Sequence, residues 1–183
     1  MQMSCDVFFA SSNKNKYLEA KKILEEFDIS LGFFKCNLLE IQSDKLEDIA
    51  LQKTKNAFQL CKKSVIIEDD GLYIDSLNGF PGPYSSYVFQ TIGNKGILKI
   101  TNTKRDASFR SIIGYSDSKH KGKLFEGKVS GKISKSLKGK GWGYDPIFIP
   151  SGQSKTFAEL EHKNNISHRY LALKKFASWF QNK

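Results

Sequence analysis

Val65-Ile66-Ile67-Glu68-Asp69-Asp70-Gly71 sets the architecture of this chain: an apolar run of strand length that ends in three consecutive carboxylates and a glycine. Like charges are expensive to bury together. Unless all three face solvent, the run therefore calls for a compensating cation near a strand end. A hard, oxygen-liganded site of the Mg²⁺ type is one reading, and an acidic surface turn is the other.

Upstream, a helical pattern leads directly into the strand Ser64 to Ile67. Leu46, Ile49, Ala50, Ala57, Phe58 and Cys61 place a helix from about Lys45 to Cys61, with a mostly apolar face that Lys53 interrupts. Leu31 to Cys36 reads as a further strand. Tyr17, Leu18, Ile23, Leu24 and Phe27 recur at helical spacing, and Val7 to Ala10 reads as the first strand. The polar loop Ser11-Ser12-Asn13-Lys14-Asn15-Lys16 thus stands at a strand-to-helix junction. This β-α-β-α-β order predicts an α/β fold whose ligands sit at the carboxyl ends of strands.

Downstream, Leu72-Tyr73-Ile74 reads as a short strand, and Asn78 to Pro83 as a rigid turn whose prolines and glycines exclude a helix. Tyr87, Val88, Ile92, Ile97, Leu98 and Ile100 suggest helical segments broken near Gly93. Phe109 to Tyr115 and Leu124 to Ile133 are strand candidates. A glycine-rich loop, Gly139 to Gly143, precedes the apolar run Ile147 to Ile149, and a last helix spans about Ser167 to Phe180.

With 183 residues, 39% of them hydrophobic and 14 of them Phe, the chain can close one substantial core; two lobes around a cleft are the other arrangement of that single domain, 1–183. Cys5, Cys36 and Cys61 are odd in number and far apart, with no CxxC pair, so buried free thiols in a reducing compartment, the cytoplasm, are expected. No basic leader and no apolar run near about 18 residues suggests secretion or membrane spanning. The formal charge is +10, densest from Lys119 to Lys140, where glycines and serines separate the lysines. A solvated hairpin, attraction of polyphosphate and binding of nucleic acid all fit that distribution.

Three further segments carry chemistry. At Ser11 to Lys16 a helix start offers orphan N–H groups beside Asn13 and Lys16, suited to phosphate oxygens, although Ser11, Ser12 and Asn13 also serve as caps. There is no Walker A pattern, and Glu19 follows Lys16 at a spacing that lets it hold that lysine. Glu40 can add a further carboxylate to a metal site or stand as a surface acid. In Gly141-Trp142-Gly143-Tyr144-Asp145-Pro146, two aromatic rings and a carboxylate can stack on a base and read its edge, or the rings can pack structurally. Lys163, Ser167, His168 and Arg169 surround a helix start and could clamp a nucleotide or cap that helix.

Four ordered blocks together resemble the inosine triphosphate pyrophosphatase, or Ham1-like, family: Ser11 through Glu19; Glu68-Asp69-Asp70-Gly71-Leu72 with Phe80-Pro81-Gly82-Pro83-Tyr84-Ser85; Gly141 through Phe148; and Ser167-His168-Arg169. The resemblance implies an elongated α/β mixed-sheet subunit with two lobes around a central nucleotide-binding cleft. It implies a cytoplasmic homodimer that uses Mg²⁺ to hydrolyse ITP, dITP and XTP to the monophosphate and pyrophosphate, with no stable nucleic-acid partner and no membrane. By the same resemblance Ser11, Ser12, Asn13, Lys14, Asn15 and Lys16 would cradle the phosphates. Glu40 and Asp69 would hold the metal, with Asp69 as general base. Asp70, Trp142, Gly143, Tyr144, Asp145, Lys163, His168 and Arg169 would contact the nucleotide. Three positions depart from the family pattern: Ser12 stands where Gly is common, Asp70 where Ser or Thr is common, and Trp142 where Phe is frequent. The competing functions are a noncatalytic RNA- or DNA-binding protein and a phosphohydrolase for another nucleoside triphosphate.

Overall fold

Three of the short apolar runs become parallel strands. In the computed structural model, which describes residues 5–183, β1 (Val7–Ser11) lies between β2 (Leu31–Lys35) and β3 (Val65–Ile74). Phe8 is in register with Gly32 on one side and Val65 on the other. The two-residue period of a strand then sorts the side chains. Val7, Phe9 and Ile66 join a core with Ile23 and Leu24 of α1 (Lys14–Glu25) and Leu173 and Phe176 of α5 (His168–Phe180). Ala10, Val65 and Ile67 join a separate core with Leu46, Ala50 and Ala57 of α2 (Leu46–Cys61). Covered on both faces, these strands are apolar where they pair, from Val7 to Ala10, Leu31 to Phe34 and Val65 to Ile67, as parallel strands are.

The inner face of α2 holds Leu46, Ile49, Ala50, Lys53, Thr54 and Ala57, the spacing of a helix packed on one side. A glycine lets it pack closely. A Cβ at Gly114 of β5 (Asp106–Ser116) would overlap Thr54 Oγ1, so a larger residue there would force α2 or the Thr54 side chain to shift. The tight turn Asp117 to His120 links β5 to β6 (Lys121–Ile133). β4 (Pro81–Gly82) pairs antiparallel with β3, and β7 (Phe148–Pro150) antiparallel with β6, completing a seven-stranded mixed sheet in the order β2-β1-β3-β5-β6-β7 with β4 beside β3.

The chain divides into two compact units. Unit 1 comprises the residues up to Asp69, Ser111–Gly127 and Arg169–Lys183, and contains both cores above. Unit 2 comprises Asp70–Arg110 and Lys128–His168. Its core joins Leu72, Ile74, Phe109, Phe148 and Phe157 with Val88 of α3 (Ser85–Thr91) and Ile97 of α4 (Gly93–Ile100). The helix break falls at Gly93, whose φ of +59° suits glycine.

Two expectations change. The carboxylates do not end a strand: β3 runs unbroken for ten residues from Val65 through Glu68, Asp69 and Asp70 to Ile74. The three cysteines are free, as expected, but half-buried rather than buried. Among the described residues, no helix is long and apolar enough to cross a membrane.

Candidate active site

In unit 1 the strand-to-helix junction is built by Asn13. Its Oδ1 accepts hydrogen bonds from the amides of Asn15 (3.0 Å) and Lys16 (3.2 Å), and its own amide donates to Ser11 Oγ (3.0 Å). Asn13 is the N-cap of α1, so its side-chain carbonyl serves the helix, and two first-turn amides are already engaged. Ser12, Lys14 and Asn15 are exposed, while Ser11, Asn13 and Lys16 are half-buried.

The pleat of β3 puts Glu68 and Asp69 on opposite faces. Glu68 follows Ile66 toward α1 and α5, where Arg169 Nε lies 2.8 Å from both of its oxygens and Ser111 Oγ donates to it at 2.8 Å. Arg169 Nη1 also pairs with Glu19 of α1. Glu68 is 5% exposed and Arg169 1%, so this is a buried, charge-assisted pair. Asp69 follows Ile67 toward α2. There Lys53 Nζ stands 3.3 Å from Asp69 Oδ2 and donates to Glu40 Oε1 at 2.6 Å. The Lys53 and Asp69 side chains are 11% and 14% exposed, but Glu40 is 62% exposed, so the group is open on Glu40's side.

Glu40 and Asp69 thus converge on a single positive centre. Their hard oxygen donors fit Mg²⁺, which is held by one or two carboxylates and completes its shell with water and substrate phosphates rather than a protein cage. Among the described residues, no group of three or more His, Cys, Asp or Glu could hold a metal ion.

In unit 2, Lys163 Nζ contacts Asp145 Oδ2 at 2.6 Å and lies 5.5 Å from the centre of the half-buried Trp142 ring. A planar ring, a donor and an acceptor are therefore side by side. Gly143, at φ +61°, turns the chain between the two aromatics, and its carbonyl accepts from Asn94 Nδ2 at 2.9 Å. Tyr144 is a core residue: it is 5% exposed, its hydroxyl donates to the Ser85 carbonyl at 2.8 Å, and burial raises its pKa far above the ordinary tyrosine range. His168 stacks on Phe109, with centroids 4.5 Å apart and planes at 9°, and its Nε2 is 4.0 Å from Asp70 Oδ2.

Sequence reading did not assign Lys53, Ser111, Phe109 or Asn94 to the site. Only Lys53 left a signal, as the one charge on the apolar face of a helix. The boundary between the units passes between Asp69 and Asp70 and between His168 and Arg169, so four candidate residues occupy their units' chain ends.

Comparison with known proteins gives the same assignment along nearly the whole chain. The model of the Ham1 family matches residues 7–179. The chain is 47% identical to the dITP/XTP pyrophosphatase of Methanopyrus kandleri, over 96% of each chain, and 45% identical to that of Pyrococcus horikoshii over the same shares. In three dimensions it is similar to a HAM1 protein from Coxiella burnetii, with a TM-score of 0.83 and 27% identity, covering 97% of this chain and 98% of that one. Matched by the Ham1 model from residue 7 to 179, and 47% and 45% identical to these two relatives over nearly its whole length, the chain belongs to the Ham1 family.

Proposed function

We propose that this protein hydrolyses non-canonical purine nucleoside triphosphates, dITP, XTP and ITP, to the nucleoside monophosphate and pyrophosphate. The Glu40–Lys53–Asp69 group carries this reading, in a chain whose relatives are named dITP/XTP pyrophosphatases. Unit 1 supplies the residues suited to the triphosphate. Lys16 and Lys53 offset the charge of its oxygens, and Asp69 accepts a proton from the attacking water. The water oxygen forms a bond to the α-phosphorus while the bond from that phosphorus to the bridging oxygen breaks, and pyrophosphate leaves with the electron pair. No covalent enzyme intermediate is required. When bound at Glu40 and Asp69, Mg²⁺ supplies further neutralisation of phosphate oxygens.

Unit 2 supplies the residues suited to the base. Trp142 offers a stacking face, while Asp145 offers an acceptor beside the Lys163 donor. A 6-oxopurine presents the matching pair, an N1–H donor next to the O6 acceptor; guanine shares this edge, so its rejection rests on poor accommodation of its 2-amino group. Adenine presents the reverse and sets donor against donor and acceptor against acceptor, which costs far more than a missing methylene.

Dependence on Mg²⁺, a cytoplasmic setting and a homodimeric assembly belong to the same proposal and rest on the family resemblance. The test is pyrophosphate release from dITP, XTP, ITP, ATP and GTP, with Mg²⁺ and with a chelator. Metal-dependent release from the first three is expected. No release from any of the five would overturn the proposal and turn attention to polymer binding.

A further inference from the structure

A second concentration of positive charge lies in unit 1, at the end of α2 beyond Cys61 and about 12 Å along the helix from Lys53. Lys62, Lys63, Lys119 and Lys183 border a concavity of about 330 Å³, at the small end of the range in which ligands are held. His120 and Ser64 add polar groups, and Phe58 supplies an apolar wall.

The one carboxylate of the lining, Asp117, is already committed. It accepts from the Tyr115 hydroxyl at 2.6 Å and from the amides of Lys119 and His120 at 2.8 and 2.6 Å, and it pairs with Lys183 at 3.2 Å. Among the described residues, no carboxylate pairs with Lys62, Lys63 or Lys119, and all three are exposed. Lys63 instead lies 5.2 Å from the centre of the Phe8 ring.

A bland account is that Lys62 and Lys63 complement the carbonyl end of α2. That end is worth about half a negative charge, so it offsets only part of three ammonium groups gathered around one hollow. Low-dielectric walls focus such a field and raise the local concentration of anions. We propose that this concavity binds a small phosphate-bearing anion, its oxygens held by Lys62, Lys63 and Lys119. The proposal does not depend on the catalytic reading, because none of these residues belongs to the Glu40–Lys53–Asp69 group.

The anion could be inorganic, or an organic phosphate whose ring would meet Phe58. Amide NMR titrations of the whole protein with inorganic pyrophosphate and, separately, with AMP distinguish the two. Saturable shifts at Lys62 to Ser64 and Asp117 to His120 are expected with at least one probe. Tighter binding of pyrophosphate would identify the inorganic form, and tighter binding of AMP the organic one.

The combined substitutions Lys62→Asn, Lys63→Gln and Lys119→Gln should weaken that binding by at least about tenfold, since each removes a charge-assisted contact. Asn is chosen at position 62 because its φ of +56° is left-handed. The variant should retain the parent's unfolding midpoint and its amide spectrum elsewhere. Shifts reproduced by sodium chloride at matched ionic strength, shifts absent from these segments, or undiminished affinity in the folded variant would each overturn the proposal.

Discussion

Glu68 and Asp69 are consecutive residues on opposite faces of one strand, and the two sides of the sheet treat their charges differently. On the α1/α5 side, Glu68 is enclosed: Arg169 and Ser111 take both of its oxygens, and Glu19 closes round the far side of the guanidinium. On the α2 side, Asp69 shares one ammonium with Glu40, and Glu40 remains 62% exposed. The cation demanded by a run of carboxylates is therefore supplied twice by the protein itself. A buried pair is costly to break, because the surviving charge is left stranded. The Glu40–Lys53 pair, with one exposed member, contributes little to stability and leaves an oxygen-rich edge accessible. The enclosed side ties β3 to α1 and α5, and the open side is where chemistry can occur.

Four substitutions sharpen this contrast. Asp69→Asn should lower pyrophosphate release from dITP by about 10²–10⁴-fold, the usual worth of a positioned general base. Its unfolding free energy should fall by less than that of a stranded buried ion, because Lys53 keeps its 2.6 Å contact with Glu40. On the other side, Arg169→Met strands Glu68 and should remove about 3–5 kcal/mol of stability, read as a shift in the urea midpoint at unchanged slope. A midpoint equal to the parent's would mean that the buried pair is not what joins α5 to the strand. In unit 2, Asp145→Asn replaces the carboxylate beside Lys163 by a neutral amide and should cut the preference for dITP over dATP by about 1–3 kcal/mol in kcat/KM, measured on folded protein because the Asp145–Lys163 pair is itself largely buried.

The smallest effect is expected at Asp117, which lies outside both groups. Burial pushes its carboxyl upward, but hydrogen bonds from Tyr115, the His120 and Lys119 amides and Lys183 outweigh this and hold it well below its ordinary 3.8. A depressed folded pKa contributes stability above the unfolded value and loses it as the solution becomes more acid. Asp117→Asn should therefore be less stable than the parent at pH 7, with the difference shrinking as pH falls below about 4. Urea unfolding at pH 7 and pH 3 reads this directly, and an equal gap at both would contradict the assignment. Desolvation pushes the Lys183 ammonium down, but its contacts with Tyr115 and Asp117 outweigh this and raise it above 10.5. Its contribution is accordingly complete in neutral solution and lost only as pH rises through the folded value.

The parallel β2-β1-β3 core and its helices, and the helix break of unit 2, were legible because each is a local pattern: a continuous apolar run in Val65 to Ile67, a three-four repeat in α2, a glycine at position 93. The continuation of β3 through its charges was not legible. Its reason lies with Arg169, 101 positions away, and with Lys53, which shows in sequence only as an interruption of an apolar face. Trp142 and Tyr144 illustrate the same limit. Two aromatics separated by one glycine read alike, yet Tyr144 is buried with its hydroxyl on Ser85, whereas Trp142 stays half-buried beside Lys163. Asn13 carried both a phosphate reading and a capping reading, and the hydrogen bonds to its Oδ1 show the cap. Spacing marks which residues are unusual; the partner that gives each its role is set by tertiary packing.

The most direct test places the two carboxylates side by side. Pyrophosphate release from dITP with Mg²⁺ would be measured for Asp69→Asn and Glu68→Gln, each under conditions where urea unfolding shows the variant fully folded. The predicted result is turnover lost in folded Asp69→Asn and largely kept in folded Glu68→Gln, with the larger stability loss in the latter. Near-normal turnover in Asp69→Asn, or a folded Glu68→Gln that is the inactive one, would contradict the division between an enclosed structural face and an open catalytic one.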